Sequence, residues 1–264
     1  MQFDPEEIVA SLGKHLPYEK LISRTEEGGF YLKSFTFELI FAYISSLFGV
    51  LYDYEMNVNP DNNTTVDFVY ELNRYKMMCF ELLRPEMSNV LKAATKSQET
   101  GVGGVKSFQL TLEGGHPVEH LRPQAQTIRL QEKLLEKVEK FPEPNDDVFC
   151  TIVVDCSEFH FGRLDRDDCC TVMYGKTINP LLQEYWGSQP ILGLLDTKLE
   201  TKMASEFRRK VTGVIFIPKI SNNELKDSYL TLNSRRDRNH LELYIDALRQ
   251  MGMLDWLQVL PLIK

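Results

Sequence analysis

Cysteine is scarce in this chain, and what there is does not pair by spacing. The five residues Cys79, Cys150, Cys156, Cys169 and Cys170 form no Cys-x-x-Cys motif. That spacing offers no sign of a disulfide framework. Soft ligand types gather once, at Cys156, His160 and Cys169-Cys170, but Cys-x3-His is not a standard knuckle, and small buried side chains at a strand end are the expected reading. Positive charge is also short. Thirty Lys and Arg stand against thirty-eight Asp and Glu, for a net charge of −8. A protein whose main business is coating nucleic acid needs the opposite balance. Two local basic runs remain, Arg208-Arg209-Lys210 and Arg235-Arg236-Asp237-Arg238. They read as solvated faces, with phosphate contact as the alternative.

Several chemistries lack their signature. The run Gln98 to Gly104 has no Gly-Lys-Ser/Thr, so it is a loop and not a phosphate cradle. His-Glu-x-x-His and the nucleophile elbow are missing. No apolar signal core opens the chain, because DPEEIVASLGKHL is acidic and amphipathic. A reducing cytoplasm without disulfides is therefore expected. Only Phe35 to Tyr52 is long and apolar, and Glu38, Ser45-Ser46 and Gly49 interrupt it. It reads as a helix buried in a core and not as a membrane span.

What is present suits one soluble domain over residues 1–264. The residues predict helices from Asp4-Pro5 to about His15 and from Pro123 to Phe141, the latter with Ile128, Leu134, Leu135, Val138 and Phe141 on its apolar face. Another is predicted from Asn239 to Met251, and short ones at Asn89 to Lys96 and Leu181 to Trp186. Strands are expected at Leu51 to Val58, Val105 to Leu112, Val148 to Val154 and Val211 to Ile217. Gly162 to Asp168 reads as a charged loop. A helix followed by a doubly apolar strand implies a crossover and a parallel pair, hence an α/β class with a mixed central sheet flanked by helices. The apolar tail Leu254 to Leu262 must pack down or meet a protein partner.

The most informative stretch is Val66 to Pro85. It reads as a hairpin: Val66 to Leu72, a turn at Asn73-Arg74, then Tyr75 to Leu83. Each apolar run carries one carboxylate, Asp67 and Glu81. Burying such groups is costly unless they are paired or hold a metal. Two carboxylates on adjacent strands can face one cation, and water-facing or arginine-paired groups are the alternative.

These residues resemble the PD-(D/E)xK nuclease superfamily. Its core runs from a helix bearing Glu, through a hairpin bearing Asp, to a strand bearing (D/E)-x-K. Asp67-Phe68 and Phe80-Glu81-Leu82-Leu83 resemble the last two motifs, and Glu38 is similar to the helix Glu. The resemblance covers roughly residues 30–160, leaving 161–264 as an extension. It implies a restriction-endonuclease-like core and a Mg²⁺- or Mn²⁺-dependent endonuclease acting on DNA. Asp67 and Glu81 are the implied metal ligands, with Glu38 as a third catalytic group. Leu83 stands where the family has its Lys. Lys76, Arg84, or Gln124, Gln126 or Gln131 on the next helix are candidate replacements. A degenerate site on a non-catalytic binding or assembly protein is the other reading. Asp155, at the end of a buried strand, is a lesser candidate.

Overall fold

The computed structural model describes residues 5–26, 32–60, 62–73, 76–85, 123–157, 164–176, 190–218, 220, 225 and 228–261. The expected helices at Asn89 to Lys96 and Leu181 to Trp186, the strand at Val105 to Leu112, and the Asp4 cap lie outside these residues.

Three helices come first: α1 (Pro5–Leu12), α2 (Glu19–Glu26) and α3 (Leu32–Leu47). They precede β1 (Asp53–Met56), β2 (Val66–Glu71) and β3 (Met77–Leu83). Then α4 (Pro123–Lys137) runs into a 3-10 turn (Val138–Lys140) and β4 (Val148–Asp155). Next are α5 (Arg166–Tyr174) and a small ribbon of β5 (Gly175–Lys176) with β6 (Ile191–Leu192). The chain continues with α6 (Lys202–Lys210), β7 (Val211–Ile217), β8 (Ser228–Leu232), α7 (Arg238–Gln250) and β9 (Leu257–Val259).

Among the described residues one seven-stranded mixed sheet runs β1-β2-β3-β4-β7-β8-β9. β1, β3, β4 and β7 share a direction, and β2 and β8 run against them. The α/β class is as expected, and the strands of the last third extend the same sheet. Side chains alternate along β4 as a doubly buried strand requires. Phe149 and Val153 enter the layer of α1, α3 and α7. Cys150, Ile152 and Val154 enter the layer of α4, α5 and α6.

Local caps explain several helix starts. Asp165 and Asp168 form a reciprocal capping box that opens α5 inside what reads as a charged loop in sequence. Thr201 caps α6, and Asp237 accepts from two N–H groups to cap α7. On α4 the buried face is Leu130, Leu134 and Val138, followed by Phe141, while Ile128 is 47% exposed. Ile128 was expected inside, but it lies off the i, i+4, i+8 line that meets the sheet. The apolar tail packs down as β9, parallel to β8, with Leu257 and Leu260 buried. Among the described residues no helix is long and apolar enough to cross a membrane.

Candidate acidic site between the hairpin and a helix end

The hairpin register brings the two strand carboxylates together. Phe68 faces Phe80 and Val69 faces Cys79. One step further along that register sets Asp67 beside Glu81, on the face covered by α4. There Asp67 replaces a ladder partner: its Oδ2 accepts from the Leu82 N–H at 2.7 Å. Asp67 is thereby fixed, with its other oxygen left over.

Glu81 is fully buried. Two lysines from the end of α4 reach it. Lys137 Nζ and Lys140 Nζ each donate to Glu81 Oε1 at 2.6 Å. Lys140 also lies 3.7 Å from Asp67 Oδ1, so one ammonium serves both carboxylates. Glu81 Oε2 is buried and, among the described residues, has no hydrogen-bond partner. Burial, then the charge of Asp67, raises the Glu81 pKa to about 7, and the two lysines hold it from going higher. For Lys140 burial favours the neutral amine, but Glu81 and Asp67 outweigh it and keep the ammonium charged.

Glu38 comes from α3, in the layer on the other face of the sheet. The Tyr54 hydroxyl donates to its Oε2 at 2.6 Å, and Arg24 donates to that same hydroxyl at 3.0 Å. Arg24 and Lys20 also ion-pair with Glu55, a residue held at φ 53° in β1. Burial and then the charge of Asp67 push the Glu38 pKa up to about 7, with smaller contributions from Glu55 and Glu81. So the charge of Asp67 acts on both Glu38 and Glu81 and makes each harder to ionise.

Carboxylate oxygens are the donor type that a hard divalent ion takes. Glu81 Oε2 is an unanswered buried oxygen, and Asp67 Oδ1 is not used by the backbone. Magnesium is commonly held by one or two carboxylates plus water. Among the described residues no three or more His, Cys, Asp or Glu side chains converge as a ready ligand cluster.

The chain matches no family model, no curated protein and no solved structure. Its candidate site therefore rests on geometry alone.

Three of the suggested stand-ins for the missing motif lysine, Arg84, Lys76 and Gln131, make their contacts elsewhere. Arg84 Nε pairs with Asp155 Oδ2 at 3.3 Å. Lys76 sits at the hairpin turn, bonded through its backbone to Leu72 and Asn73. Gln131 ties α4 to the carbonyls of Val172 and Leu192. The Gln124 side chain lies outside the described residues. Lys137 and Lys140 were missed because, on α4, they read as its solvated face; nothing in a helical pattern says which lysines bend toward a carboxylate. Asp155 also accepts the Ser157 N–H at 2.9 Å, so it acts as a strand-end cap. For zinc, His160 lies outside the described residues. Cys156 and Cys169 are core side chains whose thiol pKa values burial pushes up, which disfavours the thiolate a metal needs.

Proposed function

We propose that the chain is a metal-dependent phosphodiesterase of the PD-(D/E)xK type, with a restriction-endonuclease-like core and DNA as its substrate. The observation that carries this reading is Lys140, whose ammonium reaches Glu81 at 2.6 Å and Asp67 at 3.7 Å. The lysine function absent at Leu83 is supplied from the next helix. The element order supports the reading as well: a helix with Glu38, a hairpin with Asp67, a strand with Glu81.

Asp67 and Glu81 would hold Mg²⁺ or Mn²⁺, with Glu38 in support. Such an ion, when bound, polarises a phosphodiester and lowers the pKa of an attacking water. The chain's own residues do the rest. Lys140 offers a fixed positive charge beside the two carboxylates, suited to the charge that develops on a phosphorane oxygen. Glu38, titrating near neutrality, can hold or release a proton at Oε1 while Tyr54 keeps Oε2 in place.

Titration of Mn²⁺ should show binding to the native chain and none to Asp67→Ala/Glu81→Ala. Cleavage of duplex and single-stranded DNA with Mg²⁺ or Mn²⁺ should fall about 10²-fold or more in Lys140→Ala. Because metal ligands must be ionised, cleavage should rise as pH climbs through about 7, where Glu38 and Glu81 lose their protons. Absence of both ion binding and cleavage in the native chain would overturn the reading.

A second reading is a non-catalytic binding or assembly protein on the same fold. It is favoured by Leu83 in the lysine position and by the two ammonium groups that already neutralise Glu81. DNA or protein binding that needs no divalent ion, without cleavage, distinguishes it.

A further inference from the structure

Two arginine runs far apart in sequence meet in one cleft. Arg208 and Arg209 end α6, Arg235 and Arg236 precede α7, and together with Asp146 and His240 they line a space of about 680 Å³. That is the size of a small-ligand site.

The charges in this cleft do not cancel. Glu143 is engaged by Arg209, and by Lys210 at 3.2 Å. Asp237 is committed to capping α7. Asp146 lines the same cleft as three guanidinium groups whose bonds go to main-chain carbonyls and, for Arg236, to His240 as well. Arg208 donates to the carbonyls of Leu194, Asp196 and Leu199. Among the described residues the Arg235 guanidinium donates through Nε alone, to Leu195 O at 3.1 Å, leaving both terminal nitrogens of an exposed side chain. Arg236 donates to Arg209 O at 2.6 Å. Carbonyl bonds orient these forks without neutralising them. Burial lowers the pKa of Arg208 and Arg236, and Arg235 lowers that of Arg208 further. Like charges held together in this way call for an anion.

Against the arginines lies a buried histidine. His240 is 5% exposed, and Arg236 Nη2 lies 3.1 Å from its Nε2. Arginine only donates, so Nε2 accepts. Burial and then Arg236 hold the ring's pKa down at about 4, leaving one ring proton at neutral pH. That proton is on Nδ1, which is buried and, among the described residues, has no hydrogen-bond partner.

We propose that this cleft binds a phosphate group, with Arg235 and Arg236 as its principal ligands and Arg208 completing the positive wall. The shared chemistry is a phosphoryl oxygen, from a nucleic-acid backbone or from the phosphates of a small molecule. The inference is independent of the acidic site.

The test titrates inorganic pyrophosphate, and separately a short single-stranded DNA, into the full chain. The variants are Arg235→Gln/Arg236→Gln and Asp146→Asn. The native chain should bind at least one probe. The double variant should bind it about tenfold or more weakly, since each charge-assisted contact is worth about that factor. Asp146→Asn removes the opposing carboxylate and disturbs no arginine contact, so it should bind several-fold more tightly. Pyrophosphate binding that follows the variants identifies a small phosphate ligand; DNA binding alone that follows them identifies backbone phosphate. Either upholds the site. Failure of both probes on the native chain, or affinities unmoved by the variants, overturns it. If the double variant does not fold, Asp146→Asn decides alone, and an unchanged affinity overturns the proposal.

Discussion

Glu38 and Glu81 keep their protons to about pH 7, and this has a cost in the folded state. In an unfolded chain a glutamate ionises near pH 4.3. Between these values the folded protein holds more protons than the unfolded one, so stability falls as pH rises through that window. Glu38→Gln removes one such group while leaving an acceptor for the Tyr54 hydroxyl. The variant should match the native chain near pH 4 and be more stable at pH 8, by about 1–3 kcal/mol. Chemical denaturation at the two pH values checks this; an equal effect at both would mean that Glu38 is not buried against the other carboxylates. For Glu81 the same substitution is a poorer probe, because it leaves Lys137 and Lys140 beside a neutral amide. Removing one partner of a buried pair typically costs about 3–5 kcal/mol.

At the scale of elements, the end of α7 is locked to the end of α3. Gly252 follows α7 with φ 68°, and a Cβ there would lie 2.8 Å from the Phe48 ring. Both the left-handed backbone and the contact oppose a side chain. Gly252→Ala should lower stability by about 1–2 kcal/mol from the backbone alone, read as an earlier urea midpoint with an unchanged slope. Neither Mn²⁺ nor phosphate binding should change, because neither proposed site touches this corner. The end of α4 differs in kind. Its last turn presents Val138 inward while Lys137 and Lys140 turn to Glu81, and Asn59 and Asn62 accept no such freedom: their amides bond the carbonyls of Glu139 and Phe141. The lysines are therefore held by main-chain anchoring as well as by charge.

At the scale of the molecule, the sheet closes with its last strand. β9 pairs in parallel with β8, Leu260 N–H donates to Leu230 O at 2.8 Å, and Leu260 is 1% exposed. Leu260→Ala should cost about 2–5 kcal/mol by the usual cavity argument. Ending the chain before Leu257 should cost more and promote aggregation, because β8 becomes a bare edge. Light scattering with denaturant melts would show both. A truncated chain as stable as the native one would mean that β9 adds nothing to the core.

The hairpin, the buried strands Val148 to Val154 and Val211 to Ile217, and the α/β class were legible in the sequence. Alternation, apolar runs and turn residues are local signals, and burial on both faces leaves a continuous apolar run wherever the strand lies. Asp67, Glu81 and Glu38 were legible too, as carboxylates in apolar surroundings. The partner of those carboxylates was not. Lys137 and Lys140 lie more than fifty residues from Glu81, on a helix whose polar side looks the same whether it meets water or an acid. The arginine cleft was hidden in the same way, since its two runs each read as solvated charge. Only the parallel pairing of β3, β4 and β7 brings α4 over the hairpin and α6 against the start of α7. Periodicity fixes which face of an element is apolar; which distant charges share a space depends on the order of strands in the sheet, and that is decided by the packing of the whole chain.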